Sequence, residues 1–297
     1  MACFEIELPL GGRDVQAVES ALTDAGATAI SFFDRGDEPI LEPRPGEFRL
    51  WSDTVVRALF DDALDPAACL FRLAAALDSQ VLADATLRRI ADRAWEREWL
   101  KDWKSMRFGA RLWIAPTFAP APEDPGAIVV RLDPGLAFGT GTHPTTALCL
   151  ETLAALPLAG WDVLDFGCGS GILAIAALKL GAARALCVDI DPQALAATAA
   201  NAAANGVDDR LATAAAPAPS STYDGVFANI LAGTLLEARE RLAAACRPGG
   251  MLVLSGILAS QSDAVIAGYR ESFDIVAVSR REDWCCLRGR RRTGAVR

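Results

Sequence analysis

A metal centre has little to be built from in this chain. One histidine, His143, stands beside eight cysteines, none of them spaced Cys-x-x-Cys, with Cys285 and Cys286 adjacent. A structural zinc site needs four ligands, normally offered as closely spaced pairs, so no metal is expected. The cysteines are scattered through a long chain, which reads as buried small hydrophobes and not as the disulfide framework of a small secreted domain. Long apolar runs are missing too: no stretch of eighteen uninterrupted apolar residues occurs, and the opening MACFEIELPLGGRD lacks the basic-then-apolar layout of a secretory leader. These absences predict a cytoplasmic protein without membrane contact. Basic charge is short as well. Against 38 acidic side chains there are 29 basic ones, a formal charge of −9, which disfavours binding along a nucleic-acid backbone and favours a basic partner.

At 297 residues the chain has room for two domains. Residues 1–91 read as strand, helix, strand, strand, helix, strand: alternating FEIELPL, a helix over 14–25, strands over 27–33 and 55–60, a helix over 66–77 and a strand over 85–90. That order predicts a small α+β, ferredoxin-like domain. Residues 92–126 read as a helical connector and a proline-rich loop, APTFAPAPEDPG. Trp95, Trp99 and Trp103 recur every four residues and so share one helix face, either packed against a domain or presented to a partner. Residues 127–297 alternate β-rich runs with Ala-rich helices, the pattern of a doubly wound α/β sheet. The strand candidates are VVRLD, WDVLDFG, ALCVDID, YDGVFANI and MLVLSGI, followed by an antiparallel edge hairpin in FDIVAVSRREDWCCLRGRR. The terminal RGRRRTGAVR reads as a solvated tail.

The sharpest signal is VLDFGCGSGILAIAAL, in which a buried strand ends in Gly167, Gly169 and Gly171 and a helix begins at once. Glycines let backbone pass close to a ligand, and the turn is expected to expose unpaired N–H groups at the helix start, a cofactor cradle. The spacing is G-x-G-x-G, not the G-x-G-x-x-G of dinucleotide folds, and Ile172 stands where such folds want a glycine. Asp189 follows Gly167 by 22 residues at the end of the next strand, where a carboxylate can accept from both ribose hydroxyls. Asp191 fits the cap of the helix that starts at Pro192. NAD and S-adenosylmethionine share the ribose requirement.

Two further runs, LDPGLAFGTGTHPTT over 132–146 and ANILAGTLLE over 228–237, together with WEREWLKDWKSMRFGARLW and DFGCGSGILAIAALKLGA, resemble the PrmA family, the methyltransferases of ribosomal protein eleven of the large subunit. The resemblance covers about 92–260, and the domain order extends it to the full length. It implies a class I methyltransferase, Rossmann-like, with S-adenosyl-L-methionine as cofactor. It also implies transfer of methyl groups to lysine side chains and the N-terminal amine of that ribosomal protein, which the N-terminal domain grips, by an enzyme expected to be a monomer with no need for nucleic acid. The family's cofactor contacts fall on Thr146, Gly167, Asp189 and Asn229, with Gly169 and Gly171 completing the cradle.

Asn229 ends the fourth main strand, where its amide oxygen can accept an N–H from the target amine; the alternative is that it caps the next helix. Thr145 and Thr146 open a helix at Pro144 and are placed to close over the methionine end of the cofactor. His143 reads either as a general base or as an ordering residue for that helix. A methyltransferase for lysines of another protein, an NAD oxidoreductase and a non-catalytic binding module are the rival readings.

Overall fold

The computed structural model describes residues 3–36, 38, 49–90, 104–120, 122–132, 141–217 and 221–293. The tryptophans at 95, 99 and 103, residues 133–140 of the loop before His143 and residues 294–297 of the basic tail lie outside them. The chain divides into two compact units, Met1–Glu98 and Trp99–Arg297.

The first unit runs β1 (Cys3–Pro9), α1 (Val15–Asp24), β2 (Ala27–Asp34), β3 (Thr54–Asp61), α2 (Pro66–Ala76), α3 (Val81–Asp84) and β4 (Thr86–Ile90). Its sheet has the order β2-β3-β1-β4, every neighbouring pair antiparallel, which is the ferredoxin-like arrangement. Strict alternation on β1 sends Phe4, Ile6 and Leu8 to the core opposite Phe60, Ala58 and Val56, and the Phe4 and Phe60 rings stack at 5.1 Å. The other face of β1 carries charge, with Glu5 paired to Arg88 and Glu7 to Arg57. Both long helices start at an aspartate whose carboxylate accepts a first-turn N–H, Asp14 from Ala17 and Asp65 from Ala67. The turn α3 was not legible, because four residues carry no usable periodicity.

The second unit holds a seven-stranded sheet in the order β10-β9-β8-β11-β12-β14-β13. Its strands are β8 (Asp162–Phe166), β9 (Arg184–Val188), β10 (Leu211–Ala214), β11 (Tyr223–Asn229), β12 (Cys246–Leu258), β13 (Phe273–Arg281) and β14 (Trp284–Arg291). The first five are parallel, and β14 is antiparallel to both of its neighbours, so the expected hairpin closes one edge. Helices α4 (Pro144–Ala154), α5 (Ile172–Lys179), α6 (Pro192–Ala204), α7 (Ala232–Ala245) and α8 (Ser262–Tyr269) cover it. Period-two alternation splits each central strand between two cores: Val163, Phe227 and Val253 join the one with α4 and α5, while Leu164, Val226 and Leu252 join the one with α7 and α8. Strands buried on both faces explain the unbroken apolar runs. Asp191 caps α6 as expected, accepting from the Gln193 N–H at 2.8 Å.

Three sequence expectations fail, one of them the solvated tail: Arg288–Arg291 of RGRRRTGAVR are the end of β14, paired with β13. VVRLD is not a strand of the main sheet; its β7 (Ile128–Arg131) pairs with β6 (Leu112–Ala115) and β5 (Met106–Phe108) in a separate three-stranded sheet. Residues 106–115 are therefore a hairpin and not part of a helical connector. Alternation in MRF and LWIA was masked by the helical tryptophan spacing just upstream. The edge strand beyond β9 is instead β10, whose LATA is partly exposed and carries no strong hydrophobic signature.

Asn205 ties the small sheet to α6. Its Oδ1 accepts from the Arg131 N–H and its Nδ2 donates to the Arg131 carbonyl, both at 2.7 Å, so the side chain imitates a neighbouring strand. Asn205 is buried, and Asn205→Ala leaves two main-chain groups unmet; a loss of about 2–4 kcal/mol is expected, read from urea unfolding, and an unmoved midpoint would show that the clamp is dispensable.

Candidate active site

A cavity of about 540 Å³ opens at the carboxyl ends of the parallel strands, where strand order reverses between β8 and β11. That is the position at which open α/β sheets bind ligands, and the volume lies within the range of small-molecule sites. The first turn of α4 and the start of β14, with His143 and Trp284, supply its remaining walls.

Its floor is Asp165, the last charged residue of β8. The carboxylate is buried at 1 % exposure; Oδ2 accepts from the Ala174 N–H of α5 at 3.1 Å, and Oδ1 has no partner. Burial raises this carboxyl to about 7, the Asp189 charge pushing the same way and the Ala174 hydrogen bond opposing.

The glycine turn above it departs from expectation. Its N–H groups do not point free into the cavity: Gly167 and Cys168 donate to the Val188 carbonyl, Gly169 to Asp189 Oδ2 at 2.9 Å, and Gly171 to the Cys168 carbonyl. The positive φ of Gly167, Gly169 and Gly171 folds the turn back onto β9, which takes up the donors that a pyrophosphate would need. Gly171 does not line the cavity; a Cβ there would meet Thr198 Cγ2 at 2.7 Å, so this glycine serves the packing of α5 on α6.

Asp189 also accepts from the Asp191 N–H through Oδ1 at 3.0 Å. Each oxygen thus carries one backbone bond, leaving lone pairs for a further donor. Beside it Ile190 is 96 % exposed, and Leu231 across the opening is 55 % exposed; both line the cavity as apolar lips. Asn229 Nδ2 donates to Thr146 Oγ1 at 3.1 Å, which turns the amide oxygen to the other side. Asn229 does not cap α7, whose N-cap residue, Leu231, makes no side-chain cap bond. His143 caps α4 with its ring, Nδ1 lying 3.3 Å from the Thr145 N–H and 2.8 Å from Thr145 Oγ1, and packs edge-on against Trp284. Next to Asn229, Gly256 has φ +79, and a Cβ would strike the Ile230 carbonyl oxygen at 2.4 Å. Here β12 breaks register with β14 so that its chain slips beneath the end of β11.

The sequence profile described as "Ribosomal protein L11 methyltransferase (PrmA)" matches residues 2–292. The chain belongs to this family. The ribosomal protein L11 methyltransferase of Pseudomonas aeruginosa (strain LESB58) is 49 % identical over 294 residues, 98 % of this chain and 99 % of its own length. That of Methylococcus capsulatus is 51 % identical over 279 residues, 93 % and 94 % of the two chains. A crystal structure of ribosomal protein L11 methylase from Lactobacillus delbrueckii subsp. bulgaricus superposes with a TM-score of 0.59 at 33 % identity, covering 64 % of this chain and all of that one.

In this family member the cavity brings together Thr146, Gly167, Gly169, Asp189 and Asn229. The sequence reading missed Asp165, whose unmet oxygen depends on burial, and Gly256, whose SGI context carries no motif. It also missed Arg241, which lines the cavity with its guanidinium 5.1 Å from the Phe166 ring centre.

The Asp165 shift sets a pH dependence. Because its folded-state carboxyl titrates at about 7, above the ordinary 3.8, the neutral form's contribution to stability is complete below about pH 4 and drains away as pH rises through 7. At pH 8 the ligand-free protein should have lost up to about 4 kcal/mol from this group. Asp165→Asn is expected to gain on the parent in urea unfolding between pH 5 and pH 8; a constant difference across that range would refute the assignment.

Proposed function

We propose that this enzyme methylates ribosomal protein L11, with S-adenosyl-L-methionine as the methyl donor. Beyond membership of the family, the reading is carried by a few polar groups placed in a largely apolar cavity: two carboxyls and an amide line it, while the glycine-turn N–H groups are taken by the protein itself. Its carboxyls suit a cation attached to a ribose, and a glycine turn whose N–H groups are already used lacks the donors a pyrophosphate needs, which counts against the NAD reading. The residues fit the donor group by group. Asp165 offers a buried, unpartnered oxygen to a cationic amine, Asp189 has lone pairs for a ribose diol, and Ile190 and Leu231 are apolar surfaces that a flat base would cover.

The bound donor supplies an electrophilic methyl carbon on a positively charged sulfur. The protein's part is to present an uncharged amine in line with it. Neutralising a lysine at pH 7 costs about 4–5 kcal/mol from its reference pKa near 10.4, whereas an α-amine near 8 costs about 1 kcal/mol. With its Nδ2 held by Thr146, Asn229 turns Oδ1 outward to accept an N–H of the target and so aims the lone pair. Both lysine side chains and the N-terminal amine are assigned as acceptors. The Met1–Glu98 unit is assigned to grip the protein substrate, and the net charge of −9 favours a basic one. The enzyme is taken to work as a monomer in the cytoplasm without binding nucleic acid; among the described residues no helix is long and apolar enough to cross a membrane.

Labelled methyl groups should pass from S-adenosylmethionine to L11 and not to other lysine-rich proteins, and mass spectrometry of the product should place them on lysines and the N-terminus. Transfer to a different protein in preference to L11 would overturn the substrate. Asn229→Ala is expected to lower kcat about 100-fold at saturating S-adenosylmethionine and L11, and Thr146→Ala to weaken S-adenosylmethionine affinity. Full turnover by Asn229→Ala at saturation would remove its orienting role, and calorimetric binding of NADH in place of S-adenosylmethionine would remove the cofactor.

A further inference from the structure

A second cavity, of about 190 Å³, lies farther along two of the elements that wall the first, α4 and β14. Its shape follows from the packing. Leu148, Glu151, Thr152 and Ala155 fall at helical spacing on one side of α4. Opposite them, Ala277 pairs with Arg288 and Ser279 with Cys286 across β13 and β14, which puts these four side chains on one face of the hairpin. Ala155, Ala277 and Ser279 are too short to fill the seam between helix and sheet.

The half-buried Arg288 side chain lines that seam. Its Nε is buried with no acceptor, and among the described residues no ion pair or hydrogen bond is made to Arg288. The carboxylate at the rim, Glu151, is already held by Arg281 at 2.8 Å, and the Thr152 hydroxyl donates to the Leu148 carbonyl. Buried side-chain donors such as this one Nε–H are nearly always met, and the planar fork of arginine matches a carboxylate. The walls supplied by Leu148, Ala155 and Ala277 are apolar, so a bare inorganic anion would meet Arg288 and leave the rest of the space unused.

We propose that this cavity is a binding site for a small organic carboxylate, its oxygens on Arg288 and its short aliphatic part against Leu148, Ala155 and Ala277. The site is separate from the methyl-transfer cavity and needs no bond-making step.

The test uses the full chain with arginine nitrogens labelled with ¹⁵N, titrated with butyrate, inorganic phosphate or chloride at one ionic strength. Butyrate should shift a single Nε–H resonance saturably, the resonance that is lost in Arg288→Gln, while phosphate and chloride should not. Ala277→Leu keeps Arg288 but fills the seam, and should weaken butyrate binding by about tenfold or more while the methyl-transfer cavity still binds S-adenosylmethionine. Butyrate shifts no larger than those from chloride, saturation by phosphate without butyrate, or unaltered butyrate affinity in both variants would each overturn the site.

Discussion

The turn from β8 into α5 is held by β9 and by one carboxylate, and the rest of the active site is arranged around that bracing. Gly167 and Cys168 donate to the Val188 carbonyl, and Gly169 donates to Asp189. The same carboxylate receives the Asp191 N–H, so the ends of β8 and β9 are locked before any ligand arrives. The turn's own N–H groups, which would otherwise be offered to a phosphate, are thereby taken. Beneath it Asp165 meets the first turn of α5 with one oxygen and keeps the other unmet. An unpartnered carboxylate in a dry site carries an energetic penalty for the free protein, and a cationic ligand relieves it. The pH sensitivity of the fold and the proposed preference for a cationic donor trace to one buried group.

The opposite wall is built from long-range contacts. Thr146, on α4, and Asn229, at the end of β11, are 83 residues apart in the chain and joined by one hydrogen bond. That bond uses Nδ2 and leaves Oδ1 of the Asn229 amide open to another donor. Gly256 makes the arrangement possible, since any side chain there would collide with the Ile230 backbone and push β12 away from β11. His143 fastens the start of α4 through its ring. Its cap contacts and its packing on Trp284 give it an ordering task that accounts for its place in the wall.

Much of the architecture was legible because its causes are local. The strand, helix, strand order of the first unit followed from alternation in FEIELPL and from capping aspartates one residue ahead of each long helix. The central parallel strands were visible as apolar runs. Errors fell where local pattern misleads: Val130 sits in a run that looks like a core strand and joins the small sheet, whereas the short, alanine-rich β10 holds the sheet edge through its backbone pairing with β9. Backbone ladders need no hydrophobic signature, and sequence periodicity does not register them.

The amino-acid sequence by itself determined the glycine turn, the acid at the end of the following strand, the Asp191 cap and the family, because each depends on residue type at fixed short spacing. Only the tertiary structure decided that the turn's N–H groups are used internally, that Gly171 serves helix packing, that Asp165 carries an unmet buried oxygen and that Arg288 enters a cavity without an acceptor. These are statements about burial and partnership between residues distant in the chain. Solvation and pairing are properties of the folded neighbourhood, so no spacing rule contains them.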